Sequence, residues 1–154
     1  MRAAVVTIST SLAEGEGDDV SGPALLERCT AAGLEVSHET VADDRDVIAT
    51  ALKRLADHER VRFIFTTGGT GLTPDDVTPE ATRDVIEREA PGFAETLRAE
   101  SRVHTPLGIL TRGVSGVRGR TLILNFPGNP KAVDQLWPVV EPTLKHAAET
   151  LERD

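Results

Sequence analysis

Short runs rich in apolar and β-branched residues alternate along this chain with stretches in which apolar residues recur at helical spacing. The runs lie at Ala3–Ile8, Leu34–Val41, Val61–Thr66 and Thr121–Phe126. This alternation is typical of parallel strands joined by crossover helices, so the sequence predicts an α/β fold. The run Val61–Thr66 is nearly continuous in apolar residues, which predicts a strand covered on both faces at the centre of the sheet.

The helical stretches have recognisable ends. Ser21, Pro23 and Gly33 predict a first helix with a capping hydroxyl group, a proline just inside its start and a glycine just past its end. Further helices are predicted over residues 47–55, 78–90 and 94–103, and from about residue 131 nearly to the end, the last kinked or divided by its prolines. Residues 107–111 are predicted as a short strand, and residues 113–119 as a loop or hairpin.

Composition excludes several classes of protein. The 154 residues predict one domain, and 17 Lys and Arg against 25 Asp and Glu give a net charge of −8, which argues against nucleic-acid binding. Cys29 is the only cysteine, so an internal disulfide is excluded, and its apolar helical face favours a small core residue over a reactive thiol. No signal peptide or membrane span is visible, and we expect a cytoplasmic protein.

Two turns rich in Gly, Thr, Asn and Pro follow strands and are the candidates for ligand binding. Thr67–Gly71 follows the predicted central strand, and Pro127–Pro130 follows Phe126. Both turns should open on the same edge of a parallel sheet, where ligands bind in open α/β proteins. Glycines let backbone N–H groups approach phosphate oxygens, and threonines add hydroxyl donors. The turns therefore predict a phosphate cradle, although a purely structural tight turn explains each one equally well.

Three aspartates fall beside the first turn. Asp75 and Asp76 lie within it, and Asp43 ends the neighbouring predicted strand. Carboxylates repel phosphate unless a cation lies between them, and Mg²⁺ prefers the oxygens of both, which indicates metal-assisted transfer on a nucleotide. Alternatively, Asp43 caps the second helix, and Asp75 or Asp76 fixes the turn by side-chain hydrogen bonds. The structural role is favoured for Asp75, and both roles stay open for Asp43 and Asp76.

Several long motifs resemble one family. Thr66–Gly71, continued by Asp76–Thr82, resembles a signature of the MogA/MoaB family of molybdenum cofactor biosynthesis proteins. Phe126–Ala132 is similar to the second signature of that family, in which the first position is more often Leu. Shorter pieces fit in order at Asp19–Gly22, Pro91–Phe93 and Ser115–Gly119. The resemblance therefore covers the whole chain.

The resemblance implies a fold and an activity. It implies one three-layer αβα sandwich domain over residues 1–154 with a mainly parallel sheet, assembled as a homotrimer. It also implies Mg²⁺-dependent transfer of AMP from ATP to molybdopterin, with pyrophosphate released and the product handed to the molybdate-insertion enzyme. Asp43 and Asp76 match the critical acids of the family and would position Mg²⁺. The substrate-binding residues that it implies are Thr67, Gly68, Gly69, Thr70, Gly71, Ser115, Pro127, Gly128, Asn129 and Pro130.

The chain departs from many relatives in its first loop. It has Ser9-Thr10-Ser11 where they have Ser-Asp, so an acid sometimes present near the pocket is missing. Thr73-Pro74-Asp75 and the short length resemble the MoaB type more closely. The alternative function is therefore a MoaB-like trimer that binds molybdopterin or a precursor without adenylyl transfer.

Overall fold

A computed structural model describes residues 1–153, which are built around one six-stranded sheet. The strands are β1 (Arg2–Ile8), β2 (Glu35–Val41), β3 (Phe63–Thr67), β4 (Arg88–Glu89), β5 (Ser115–Arg118) and β6 (Thr121–Phe126). Their order is β2-β1-β3-β6-β5-β4, with the first four parallel and the last two antiparallel to their neighbours. The predicted mainly parallel sheet is confirmed, and β3, which is buried along its whole length, lies between β1 and β6.

Helices fill most of the connections between strands. They are α1 (Thr10–Ala13), α2 (Ser21–Ala31), α3 (Arg45–Lys53), α4 (Thr78–Val85), α5 (Pro91–His104) and α6 (Pro130–Leu151). A wider π-helical turn, Arg54–His58, continues α3, and a 3₁₀ turn, Pro106–Leu110, follows α5. Within residues 1–153, no helix is both long and apolar enough to cross a membrane.

The two faces of the sheet bury different side chains. Successive residues of a strand point to opposite faces, so Phe65 of β3 packs beneath α2, α5 and α6, whereas Ile64 packs beneath α3 and α4. The ring of Phe65 meets the ring of Trp137 edge-on at a centroid distance of 5.3 Å. Aromatic burial on one face and aliphatic burial on the other complete the expected three-layer αβα sandwich.

Several predicted boundaries are wrong. The helix predicted to reach Ala90 ends at Val85, because the chain turns there into β4 and pairs with β5. The strand predicted over residues 107–111 is the 3₁₀ turn, whose first N–H groups are satisfied in part by the Thr105 hydroxyl group, which accepts from Leu107 N at 3.2 Å. Helix α1 was not predicted.

Two helix ends also differ from their predictions. Ser21 does not cap α2; the Asp19 carboxylate accepts from Gly22 N at 3.0 Å instead. Helix α6 is one continuous element across Pro138 and Pro142, where a kink or two pieces were expected. Its first turn is fixed by the side chain of Asn129, which accepts from Lys131 N at 2.9 Å.

The strand order creates a crevice between β1 and β3. The connection after β1 leads to β2 on one side, and the connection after β3 leads to the strands on the other side. Below this point, the buried Asn125 donates to the hydroxyl groups of Thr66 and Thr82 and accepts from Val114 N at 2.9 Å. This buried network ties β6, β3 and α4 together directly under the carboxyl ends of the strands, where open α/β sheets bind ligands.

Candidate functional site

A cleft of about 490 Å³ opens at the carboxyl ends of β1, β3 and β6. It brings together nine of the residues singled out from the sequence, which come from both predicted turns. These are Thr67, Gly68, Gly69, Thr70, Gly71, Asp76, Pro127, Gly128 and Asn129. The prediction that the two turns share one edge of the sheet is confirmed.

Hydrogen bonds join the two turns to each other. Gly68 N donates to Phe126 O at 3.3 Å, and the Thr67 hydroxyl group donates to Pro127 O at 2.9 Å. These bonds cross from the end of β3 to the end of β6, whose parallel pairing ends at the same level. The two turns, which form the walls of the cleft, are therefore fixed relative to each other.

The first turn requires glycine at two positions. Gly68 and Gly69 have φ angles of +100° and +68°, in the left-handed region that other residues rarely adopt. A β-carbon at Gly68 would collide with the carbonyl oxygen of Ile8, and one at Gly69 would collide with the Thr78 hydroxyl group. The backbone of the turn thus packs directly against β1 and α4. Because these two positions have no side chains, the backbone of the turn can come close to a ligand in the cleft.

Asp43 lies against the first turn and bonds to Thr10 at the start of α1. Its Oδ2 accepts from Thr10 N at 2.9 Å, and its own N–H donates to the Thr10 hydroxyl group at 3.0 Å. A β-carbon built on Gly69 would lie 3.3 Å from its Oδ1, so the carboxylate faces the glycine turn. The alternative role as a helix cap is wrong for Asp43, because Asp44 caps α3 by accepting from Val47 N.

Asp76 fixes its own turn and also lines the cleft. Its Oδ2 accepts from Thr73 N at 3.0 Å and from the Thr73 hydroxyl group at 2.8 Å, as the structural alternative expects. Its Oδ1 makes no hydrogen bond to residues 1–153, so one oxygen is left for a ligand. Asp75 is exposed and lies outside the cleft lining, and the turn-fixing side-chain bonds that were favoured for it are made by Asp76 instead.

The residues at the cleft suit a metal ion only together with phosphate. Within residues 1–153, no group of three or more His, Cys, Asp or Glu side chains is arranged to hold a metal ion. The cleft lining contains the carboxylate of Asp76 and no Lys or Arg, and Asp43 lies against the glycine turn. Mg²⁺ in proteins is commonly bound through one or two carboxylates, water and substrate phosphates, and this donor set fits that mode.

Two of the substrate-binding residues implied by the resemblance do not line the cleft, and neither does Asp43. Ser115 is buried, and its hydroxyl group donates to Ala90 O at 2.6 Å and accepts from Ala94 N at 3.0 Å. The prediction that Ser115 binds substrate is therefore corrected: its side chain links the start of α5 to β5. Pro130 begins α6 and stands just outside the lining.

A second cavity of about 350 Å³ adjoins the cleft and shares Thr111, Pro127 and Asn129 with it. It lies between the end of α5, the 3₁₀ turn and the start of α6. His104 and Lys131 are in its lining, which gives it the basic side chains that the cleft lacks. The N-terminus of α6, which begins at Pro130, lies next to Asn129 at the junction of the two spaces.

Arg112 was missed by sequence reasoning, since one arginine in a loop carries no motif. Its guanidinium group donates to Gly71 O at 2.8 Å and Asp76 O at 2.7 Å, and to Glu80 Oε1 at 2.5 Å. The hydrogen bond from Arg112 keeps the pKa of Glu80 below its ordinary value, so the carboxylate stays charged. The side chain lies behind the first turn and holds it from outside the cleft.

Comparison with known proteins identifies relatives. A family model described as "Probable molybdopterin binding domain" matches residues 4–146. The chain is 35% identical over 150 residues to the molybdopterin adenylyltransferase of Helicobacter pylori strain J99, covering 96% of this chain and 85% of that protein. It is 40% identical over 152 residues to the Drosophila melanogaster molybdenum cofactor synthesis protein cinnamon, covering 97% of this chain. It spans only 25% of the length of cinnamon.

A solved structure has the same fold. The molybdopterin biosynthesis enzyme MoaB from Thermus thermophilus superposes with a TM-score of 0.91 and 43% sequence identity. The match covers 97% of this chain and 95% of that chain. Both cleft turns lie within residues 4–146, the part of the chain that the family model matches.

Proposed function

Because the chain belongs to the MogA/MoaB family, we propose that it is a molybdopterin adenylyltransferase of molybdenum cofactor biosynthesis. In the proposed reaction, AMP passes from ATP to the terminal phosphate of molybdopterin, and pyrophosphate leaves. ATP is the co-substrate, and Mg²⁺ is the required ion.

One observation carries the proposal: both strand-ending turns form one cleft, with Asp76 in its lining and Asp43 against the glycine turn. A cleft without cationic side chains needs another source of positive charge to hold two phosphorylated substrates. Backbone N–H groups of the glycine turn supply part of it. Mg²⁺ held between the phosphates and the two aspartates would neutralise the charge that develops on the transferred group.

The chain itself orients the reacting groups. Thr67–Gly71 would hold the terminal phosphate of molybdopterin, so that one of its oxygens attacks the α-phosphorus of ATP. A new bond forms between that oxygen and the α-phosphorus, and the bond from the α-phosphorus to the bridging oxygen of pyrophosphate breaks. No covalent enzyme intermediate is needed, so positioning and charge stabilisation supply the rate.

The second cavity supports a site for the nucleotide. It adjoins the cleft at Pro127 and Asn129, so two ligands bound in the two spaces would meet there. Lys131 and the N-terminus of α6 would attract the phosphates of ATP. We therefore assign molybdopterin to the cleft and ATP to the second cavity.

We also propose a cytoplasmic homotrimer that passes its product to the molybdate-insertion enzyme. An exposed apolar patch supports association between copies of the chain. It is formed by Val103, Leu107, Ile109 and Leu110, at the end of α5 and in the 3₁₀ turn. Analytical ultracentrifugation of the purified protein should give three times the 16.5 kDa chain mass, and a monomer at micromolar concentration would contradict the trimer.

A product assay tests the activity. Purified protein is incubated with molybdopterin, ATP and Mg²⁺, and adenylylated molybdopterin and pyrophosphate are quantified. We expect product from the wild type and from Asp75→Ala, an exposed neighbour that serves as the matched control, and little product from Asp76→Ala. Tight molybdopterin binding without product in the wild type would instead establish the MoaB-like binding function.

A further inference from the structure

We propose that Arg112, oriented by Glu80, is a positioning residue that holds the first cleft turn in the shape that presents Asp76. This inference rests on the proposed function for its kinetic consequence. The clamp itself follows from contacts that do not involve any substrate.

The guanidinium group and backbone of Arg112 bind both arms of the turn. Arg112 N donates to Thr70 O at 2.8 Å and its Nε donates to Gly71 O at 2.8 Å, both before the tip of the turn. Its Nη2 donates to Asp76 O at 2.7 Å, after the tip. A rigid, planar group that bonds to both arms sets the distance between them.

Few other hydrogen bonds hold residues 70–76 against the rest of the protein. In the part of the chain that the structure describes, the hydrogen bonds that join residues 70–76 to other elements come from Arg112 and from Thr111, whose hydroxyl group donates to that of Thr70 at 3.2 Å. The bonds between Asp76 and Thr73 are internal to the turn and set its local shape only. Beyond the bonds from Thr78 to Gly68 O and Gly69 O at the base of the turn, Arg112 is therefore the main support for the position of Asp76 relative to the cleft.

Glu80 fixes the direction of the guanidinium group. It lies in the first turn of α4 and accepts from Arg112 Nη1 at 2.5 Å. Its second oxygen, Oε2, is buried without a hydrogen-bond partner, an arrangement that is costly for a carboxylate unless the adjacent cation compensates. The ion pair therefore fixes the orientation of the Arg112 guanidinium group in addition to any contribution that it makes to stability.

A lysine at position 112 cannot form the same set of hydrogen bonds as Arg112. An ammonium group is a single point of positive charge and cannot bond at once to Gly71 O, Asp76 O and Glu80. Arg112→Lys keeps the charge and loosens the turn, so Asp76 samples positions away from the phosphates. Misplacement of a catalytic group by about 1 Å can cost roughly a hundredfold in rate. We expect kcat for adenylyl transfer to fall by roughly tenfold or more, with a smaller change in KM for ATP.

The experiment compares Arg112→Lys and Glu80→Gln with Arg45→Lys. Arg45 is the matched control because it forms a similar two-bond ion pair, at 2.6 and 2.8 Å, with Asp84, which lies in α4 as Glu80 does. Arg45 makes no hydrogen bond to residues 70–76. Steady-state kinetics give the split between kcat and KM. Hydrogen exchange of the amides of residues 70–76 is measured on the substrate-free protein. We expect faster exchange and lower kcat in Arg112→Lys, a weaker effect of the same kind in Glu80→Gln, and neither in Arg45→Lys.

The outcomes separate the clamp from the proposed function. If Arg112→Lys has the kcat of the wild type and the same hydrogen exchange at residues 70–76, the clamp is overturned. If the wild type itself forms no product, the proposed activity is overturned, and the hydrogen exchange of Arg112→Lys still tests the clamp. If Arg112→Lys fails to fold, Glu80→Gln decides instead, since it weakens the same link while keeping a hydrogen-bond acceptor. In Glu80→Gln, wild-type exchange of residues 70–76 would then overturn the proposal.

Discussion

Gly128 packs directly on Gly68: a β-carbon built on Gly128 would lie 3.0 Å from Cα of Gly68. The two glycines belong to the two different turns of the cleft. Since neither position has room for a side chain, the separation of the cleft walls is set by contact between two backbones. The bond from the Thr67 hydroxyl group to Pro127 O adds to this fixed spacing, which would suit a site that holds two substrates in line.

The first prediction is that Gly68→Ala destabilises the protein far more than Gly33→Ala. Both glycines have positive φ angles, but a β-carbon at Gly33 meets open space and one at Gly68 collides with Ile8 O. Left-handed strain alone costs roughly 1–2 kcal/mol, and the collision at Gly68 adds about 1–3 kcal/mol. Urea unfolding followed by circular dichroism measures both variants, and equal losses would contradict this packing of the turn on β1.

Asp43 and Asp44 should separate activity from stability. Asp44→Ala removes the cap of α3 and should lower the free energy of unfolding by about 1 kcal/mol with adenylyl transfer unchanged. Asp43→Asn keeps an oxygen that accepts from Thr10 N, so its stability should stay near wild type. Loss of its charge should lower the rate of adenylyl transfer by roughly a hundredfold, as removal of one electrostatic contact does in other active sites. Paired unfolding and product assays check this, and the reverse pattern would show that the roles are exchanged.

Replacing the two asparagines nearest the cleft should have unequal effects. Asn125→Ala leaves Val114 N and the Thr66 hydroxyl group without their partner in the interior, and the Thr82 hydroxyl group keeps only its bond to Thr78 O, so we expect a loss of about 3 kcal/mol. Asn129→Ala removes an exposed helix cap and should cost about 1 kcal/mol. Chemical denaturation of both variants tests the difference, and a small loss at Asn125 would mean that water replaces its bonds.

Acid should destabilise the wild type more than Glu80→Gln. The bond from Arg112 lowers the pKa of Glu80 in the folded protein below its ordinary value of 4.5. Below that value the unfolded chain therefore binds more protons than the folded one. The stabilisation is complete above pH 4.5 and is lost as the pH falls through the folded pKa. Free energies of unfolding measured across this range should fall less steeply in Glu80→Gln, and identical slopes would contradict the pairing.

Cys29 should report on unfolding. It is fully buried in the core, and burial raises the pKa of its thiol to about 12. Native protein at pH 8 should therefore react with iodoacetamide only through opening of the fold. Mass spectrometry of samples alkylated at increasing urea concentration should follow the unfolding curve, and rapid alkylation in the absence of urea would show that α2 opens locally.

Sequence reasoning was most successful where local chemistry decides the structure. The cleft turns follow strongly apolar strands and are dense in glycine, so their place at one edge could be inferred from Thr67–Gly71 and Pro127–Asn129 alone. The cap of α3 could not be identified, because an aspartate just before a helix, such as Asp43, is a competent cap, whereas the structure places Asp44, one position later, against Val47 N.

Other features depend on partners that are distant in sequence. Arg112 bonds to carbonyl groups 41 and 36 positions away, and no local pattern indicates such contacts. The sequence does not show that the hydroxyl group of Ser115 is already hydrogen-bonded to the chain at the start of α5 and so cannot face a ligand. The apolar residues 107–111 resemble a strand, yet they have no neighbouring strand to pair with and form a tight turn after Pro106.

The central ladder between β3 and β6 has a consequence for how the protein is made. Asn125 and Thr66, which meet across this ladder, are 59 positions apart, so their contact closes a long loop that is entropically expensive. Such distant pairings slow folding. During synthesis on the ribosome, both walls of the cleft can exist only after the segment through Asn129 has emerged from the exit tunnel. A nascent chain therefore cannot assemble this cleft until both of its turns are outside the tunnel, by which point all six strands have emerged as well.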